Sequence, residues 1–312
     1  MKLYLAFIAY DVRLALRYRT AVILNYLFPI GIFVIFGEIF GTHRPPGATA
    51  AMTTAYTGTF LNLSLIIGAL GNGLWGAGMR AVMERESGVL RRFRVAPISA
   101  LPLLLSSIAS GVALFLPLVF VLALLSFLRY GMGVPKAWPV LLLFFALGLI
   151  AFRSIGLIVA AVANSTQETT VLAQLLFMPM LILSGATVPL MFFPAWLRGI
   201  SKFIPSHQLL KICQAVWLGW PSLQVTGLAI TAMVVASVLG VFVSLKLFRW
   251  DKEEKIRPRA KLAVAAVLLP FLLLGAYQVS VGDTSEPWVP YTIAPGEHPG
   301  SPSSLPQSPP SR

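Results

Sequence analysis

Long apolar runs, separated by short polar clusters, dominate the chain, and most of them match the ~20 residues a helix needs to cross a hydrocarbon core. Reading the runs against charges and turn residues predicts spans at about 21–41, 55–78, 100–128, 138–163, 166–185, 223–247 and 261–279, the fifth ending at Ser184-Gly185. Ahead of the first span the pattern changes. Within residues 2–19, Leu3, Phe7, Tyr10, Leu14 and Arg17 recur at spacings of three and four, with Arg13 and Arg17 interrupting. That periodicity predicts a helix in the cytoplasmic interface over 1–20, and an N-terminal extension of the first span is the alternative. Beyond the last span, residues 280–312 hold eight prolines, Pro287 to Pro310, and almost no aliphatic clusters. This proline-rich stretch is expected to be a disordered or extended outer tail.

Composition sharpens the reading. Of 312 residues, 57% are hydrophobic and 11% charged, where soluble domains carry roughly 25% charged residues. Too little polar surface exists to cover a water-soluble globule, which excludes a soluble enzyme, a secreted disulfide scaffold and a disordered hub. The single cysteine, Cys213, cannot form an internal disulfide or a cysteine metal cluster. No cleavable signal peptide is expected, because Asp11, Arg13, Arg17 and Arg19 follow a short apolar stretch without a small-residue cleavage site.

The net charge of +13 sets orientation. With the N-terminus inside, Lys2, Arg13, Arg17 and Arg19, then Arg80, Arg85, Arg91, Arg92 and Arg94, then Lys246, Arg249, Lys252, Lys255, Arg257, Arg259 and Lys261 are cytoplasmic. Outside fall Arg44, Arg129, Lys136, Arg198, Lys202, Lys211 and Arg312. That bias predicts a cytoplasmic N-terminus and an outer tail. The charge is then topology, and nucleic-acid binding is not needed to explain it.

Soluble-enzyme motifs fail on their surroundings. Gly71-x-Gly73-x-x-Gly76 spells a dinucleotide fingerprint, but it lies inside an apolar span with no strand before it. Ala69, Gly73 and Ala77 repeat every four residues and read better as a close helix-packing stripe. No Gly-Lys dipeptide occurs, so no phosphate-binding P-loop exists. His43, His207 and His298 are scattered, with no zinc spacing and no metal site expected. Among polar residues of the spans, Arg153 must face a cavity, pair or snorkel, and Glu38 lies near the outer end of the first span. Asn25, Asn62, Asn72 and Gln174 line a route or bridge helices.

The most informative segment is the loop 79–99. Glu84-Arg85-Glu86-Ser87-Gly88 ends a short helix, Val89-Leu90 and Arg91-Arg92-Phe93-Arg94 form an amphipathic turn, and Pro97-Ile98-Ser99 opens the next span. A solvated positive-inside loop would satisfy the charge count alone. The order of residues resembles the loop between spans two and three of ABC type-2 transporter permeases. A second stretch, Leu183-Ser184-Gly185 to Pro189 with Phe193-Pro194-Ala195-Trp196-Leu197 and Ile204-Pro205, is similar to that family's segment after span five. The resemblance covers about 20–250, while 251–312 departs from the family's usual six helices.

The resemblance implies an all-α polytopic helical membrane protein, with a six-span ABC type-2 permease core over 21–250 plus a seventh C-terminal span. The units are then 1–20, 21–250, a basic loop and seventh span at 251–279, and the tail 280–312. It further implies a transport subunit without its own ATPase site, in a bacterial-type inner membrane, exporting a lipid-like, drug-like or glycan substrate. The chain binds no cofactor in this reading, because ATP and Mg sit on a partner P-loop ATPase subunit. A second permease copy or relative completes a dimer.

In this reading Glu84, Arg85, Glu86, Gly88, Leu90, Arg91 and Phe93 couple to the ATPase: the acids offer charge-assisted hydrogen bonds, Val89, Leu90 and Phe93 a buried contact, and Gly88 a sharp turn. Asn164-Ser165-Thr166-Gln167-Glu168 is either a smaller second contact or a capping box. Gly185, Pro189, Pro194, Trp196 and Pro205, within 186–222, form an outer gate of short re-entrant helices, with an ordinary interfacial loop as the alternative. Two other functions remain open: an ion-gradient-driven secondary transporter using Glu38 and Arg153, and a membrane-anchoring or sensing subunit presenting the outer tail.

Overall fold

A computed structural model of the chain describes residues 2–17, 19–41, 50–90, 99–132, 138–188, 190–218, 223–251 and 260–282. Among the described residues all regular structure is helical. The helices are α1 (Lys2–Arg17), α2 (Arg19–Phe36), α3 (Ala50–Gly71), α4 (Gly78–Glu86), α5 (Ala100–Tyr130), α6 (Trp138–Val162), α7 (Thr166–Ile182), α8 (Ala195–Ser201), α9 (Pro205–Leu218), α10 (Leu223–Leu247) and α11 (Ala260–Ser280). Two π-helical segments, Gly37–Gly41 and Asn72–Ala77, follow α2 and α3. The predicted tail lies outside the described residues except for 280–282.

Among the described residues, four stretches are long and apolar enough to cross a membrane: Thr57–Glu86, Ala100–Tyr130, Trp138–Val162 and Thr226–Leu247. They correspond to the predicted second, third, fourth and sixth spans. Asn25–Ile39 and Ala266–Ser280 are shorter apolar helices, and α7, at the predicted fifth span, has 17 residues. The second span runs further than its sequence predicts. Helix α4 continues it through the π segment, and the chain turns only at Gly88, whose φ of 71° suits a residue without Cβ. Helix α5 stops in the same way at Gly131, φ 66°, with the Met132 amide donating to Ser126 O at 3.1 Å.

Within the predicted helix over 2–19, Lys2–Arg17 is helical as α1 and packs on α5, and residue 18, between α1 and α2, lies outside the described residues. The burial of α1 is not that of a simple amphipathic helix. Leu5, Tyr10 and Leu16 are exposed, while Asp11 is buried. An acid goes inward here because partners on α4 and α5 wait for it.

Helix α6 is the centre of the bundle, touching α3, α4, α5, α7, α9, α10 and α11. Phe145, Leu149 and Phe152 on it are fully buried. Its tightest crossing is with the π segment and α4, as the small-residue stripe predicts. A Cβ added at Gly78 would sit 2.5 Å from Gly156 O, and one at Gly73 or Gly156 would collide with Phe152 or with Gly73 O. Ala69 and Ala77 of the same stripe are buried. Without a hydrophobic drive between helices in lipid, such close backbone contact carries the association. Gly156→Ala should therefore lower the unfolding midpoint of the detergent-solubilised protein, by the ~1–3 kcal/mol typical of overpacking. Gly199→Ala, on α8 with open space around it, is the control. Equal midpoints for the two variants would contradict the tight crossing.

Candidate functional site

Helix α4 ends beside the end of α6, and a helix end leaves its last carbonyls without intrahelical donors. Two arginines supply them. Arg85, buried at the end of α4, donates from Nη1 to Ala160 O at 2.9 Å and from Nη2 to Ala163 O at 2.6 Å. Arg249, just past α10, donates from Nη2 to the same Ala163 O and from Nη1 to Asn164 Oδ1 at 3.2 Å. Positive charge at a helix C-terminus is also favoured by the helix dipole.

The next helix begins in the same cluster. Glu86 accepts from Thr166 N at 3.1 Å and from Thr166 Oγ1, placing a carboxylate at the N-terminus of α7. The cap half of the predicted box forms, with Ser165 Oγ accepting from Glu168 N at 3.1 Å, while Glu168 Oε2 reaches back past the cap to accept from Asn164 N at 2.8 Å. Ends of α4, α6, α7 and α10 are thus joined through a handful of residues.

One turn earlier on α4 a second group joins α1 and α5. Arg80 donates to Asp11 Oδ1 at 2.6 Å and to Glu84 Oε1 at 2.8 Å, and Ser106 Oγ donates to Asp11 Oδ2 at 2.7 Å. Asp11 is almost fully buried, so this pair is not a solvent-screened surface bridge.

The residues expected to meet an ATPase therefore divide. Glu84 and Glu86 have partners within the chain, and Arg85 faces inward. Leu90, expected to offer an exposed contact, is buried and shares a small crevice with Ala81, Leu103, Leu104 and Phe248. It turns inward because the start of α5 and the chain after α10 offer it an apolar seat. Met83, Glu86 and Ser87 remain exposed, and Gly88 makes the turn. Arg91 and Phe93 lie outside the described residues.

At the predicted outer gate, Gly185 has φ 85°, Pro194 caps α8, Trp196 is exposed, and Pro205 opens α9. Pro189 lies outside the described residues. Two short helices, α8 and α9, joined by residues 202–204, lie within 186–222. Sequence reading missed how polar the inside of α9 is. His207, Gln208, Lys211 and Gln214 are all buried, although their spacing of three and four was a visible signal. His207 Nδ1 meets Ser184 O at 3.1 Å, and Gln208 Nε2 donates to Gln278 Oε1 on α11 at 3.0 Å.

Elsewhere, Glu38 is gripped by Arg129 from Nε at 2.9 Å and Nη2 at 3.1 Å, joining the ends of the predicted first and third spans. Arg153 is buried on α6, donating to Asn72 and, at 3.2 Å, to Ser107 Oγ. It lines a cavity of about 650 Å³ bounded by α1, α2, the 72–77 segment, α4 and α5, which Asn25 and Asn72 also line. Asn62 is buried with neither amide atom bonded, and Gln174 is exposed. No group of three or more metal-binding side chains occurs among the described residues.

Comparison with known proteins places these features. The sequence profile of the ABC-2 type transporter family matches residues 2–218. The chain is 27% identical to the inner membrane transport permease YhhJ of Escherichia coli (strain K12) over 184 residues, covering 56% of this chain and 46% of that protein. It is 33% identical to nodulation protein J of Rhizobium meliloti (strain 1021) over 104 residues, covering 33% of this chain and 39% of that protein. The matches thus span less than half of each relative's length.

Arg249→Met should remove one of the two donors to Ala163 O and the bond to Asn164 Oδ1, at about 1.5–3 kcal/mol for hydrogen bonds made by a charged group. The unfolding midpoint should fall by roughly 2–4 °C per kcal/mol, whereas Arg13→Met, at an exposed position, should leave it unchanged. An unaltered midpoint in the Arg249 variant would show that the clamp contributes nothing.

Proposed function

The chain belongs to the ABC-2 type transporter family, whose membrane domain lacks an ATPase domain, and from this we propose that it is the permease of a divided ABC exporter. It is a multi-pass membrane protein. In this reading α2, the 55–86 unit, α5, α6, α7 and α10 form a six-span core and α11 a seventh span. The N-terminus faces the cytoplasm, the membrane is a bacterial-type inner membrane, and the core pairs with a second copy or a relative. A separate P-loop ATPase, carrying ATP and Mg, docks beneath the loop 79–99 and drives outward movement of a lipid-like, drug-like or glycan substrate. The outer gate is formed by Gly185, Pro189, Pro194, Trp196 and Pro205.

The observation that supports this best is the cluster beneath α6. A loop that only had to be soluble and positive would need no buried arginine. Here Arg85 and Glu86, on the last turn of α4, are fastened to the end of α6 and the start of α7, so a push on the loop reaches several helices. Glu84 and Glu86 then act as internal tethers that stiffen the lever, and Met83, Arg91 and Phe93 meet the ATPase. The ion-driven alternative gains no support from geometry, because Glu38 and Arg153 belong to separate hydrogen-bonded groups.

The test is purification of the tagged full chain from its native membrane in mild detergent, with mass spectrometry of its companions and reconstitution in vesicles. A stoichiometric P-loop ATPase is expected. In the Glu84→Ala, Glu86→Ala double variant, that ATPase should remain bound and hydrolyse ATP while transport falls by roughly tenfold or more. Absence of any ATPase after cross-linking would overturn the exporter, and normal transport in the double variant would remove the tether role.

A further inference from the structure

Arg153 is a charge in an unusual setting. It sits on α6, 4% exposed, and its guanidinium bonds only neutral groups: Asn72 O at 3.2 Å, the Asn72 side chain and Ser107 Oγ. Its Nε has no partner, and no carboxylate lies within salt-bridge distance among the described residues. The sequence makes room for it. Gly111 faces the guanidinium so closely that any side chain there would overlap it, and a Cβ at Gly76 would come within 3.1 Å. An ionised group buried without a counter-ion is costly, and in membrane proteins such groups mark ligand or ion sites.

The same guanidinium forms part of the wall of the 650 Å³ cavity, a volume in the ~300–1,000 Å³ range of ligand sites. Much of the wall is apolar, with Leu14, Val22, Trp75, Phe115 and Leu118, and its polar groups include Asn25, Ser110 and the Glu84 carboxylate. The other cation on it, Arg80, is already held by Asp11 and Glu84. The cavity therefore offers one uncompensated positive charge beside a long apolar surface.

We propose that this cavity binds an anionic amphiphile, a glycerophospholipid whose phosphate pairs with Arg153 and whose hydrocarbon chain lies along Trp75 and Phe115. The pair of features selects the ligand. A soluble anion would satisfy the charge and leave the apolar wall empty, and a neutral lipid would fill the wall and leave Arg153 without a counter-ion. The cavity borders the coupling loop, since Met83, Glu84, Ser87 and Val89 also line it, but the inference does not depend on the transport reading.

The full chain is placed in nanodiscs of phosphatidylcholine containing either brominated phosphatidylglycerol or brominated phosphatidylcholine. Fluorescence of Trp75 is isolated as the difference between wild type and Trp75→Phe, a change that keeps a ring against Phe177. Brominated phosphatidylglycerol should quench Trp75 at roughly tenfold lower mole fraction than brominated phosphatidylcholine. That preference should vanish in Arg153→Gln and return in part in Arg153→Lys. Excess inorganic phosphate should not relieve the quenching. Equal quenching by the two lipids in wild type would overturn the proposal without any Arg153 variant being needed. Complete relief by inorganic phosphate would replace it with a soluble-anion site.

Discussion

A helix that ends inside a membrane protein leaves carbonyl oxygens that water reaches poorly, and at the end of α6 two arginines from distant parts of the sequence supply the missing donors. Arg85 comes from the end of α4 and Arg249 from the end of α10, and both bond Ala163 O. Because each guanidinium is held by several acceptors, neither helix end can shift without breaking charge-assisted bonds. The contact between Glu86 and Thr166 extends the constraint to α7. The remainder of the bundle is arranged around this fixed point.

Above that point, packing gives α6 little freedom. Gly73, Gly78 and Gly156 bring backbones into direct contact, and Gly148 admits Leu209 of α9. A helix so closely fitted moves as a body with its neighbours or not at all, since packed interfaces change between discrete arrangements rather than deform smoothly. In the proposed exporter this is the useful property. Force applied at the loop 79–99 is delivered to a rigid group of helices rather than dissipated in side-chain rearrangement.

The sequence displays much of this and conceals the rest for physical reasons. Spans over Ala100–Tyr130 and Trp138–Val162 are legible because uninterrupted apolar runs end at glycine or polar residues. The glycine stripe and the Ser165–Glu168 cap are legible because their spacing is local. What is not legible is pairing across long separations. Nothing near Arg249 points to Ala163, and nothing near Asp11 points to Arg80 and Ser106. Leu90 reads as an exposed docking residue only while the apolar seat formed by Leu103, Leu104 and Phe248 is unseen. Charge at Arg80 and Glu84 suggests that the second span stops early, yet α4 continues, its charged side chains taken up by tertiary partners.

The rigidity of the clamped helix ends is the claim on which everything functional rests. It is tested most directly by pulsed electron resonance between spin labels at Ser87→Cys and Gln167→Cys, both exposed positions, in a Cys213→Ala background within the complete ATPase complex. If α4 and α7 are held as one body, the distance between the labels should differ by less than about one residue's rise, ~1.5 Å, between nucleotide-free and ATP-bound states. A shift of several ångströms between those states would mean that the clamp opens during the cycle, and the rigid-lever interpretation would fall.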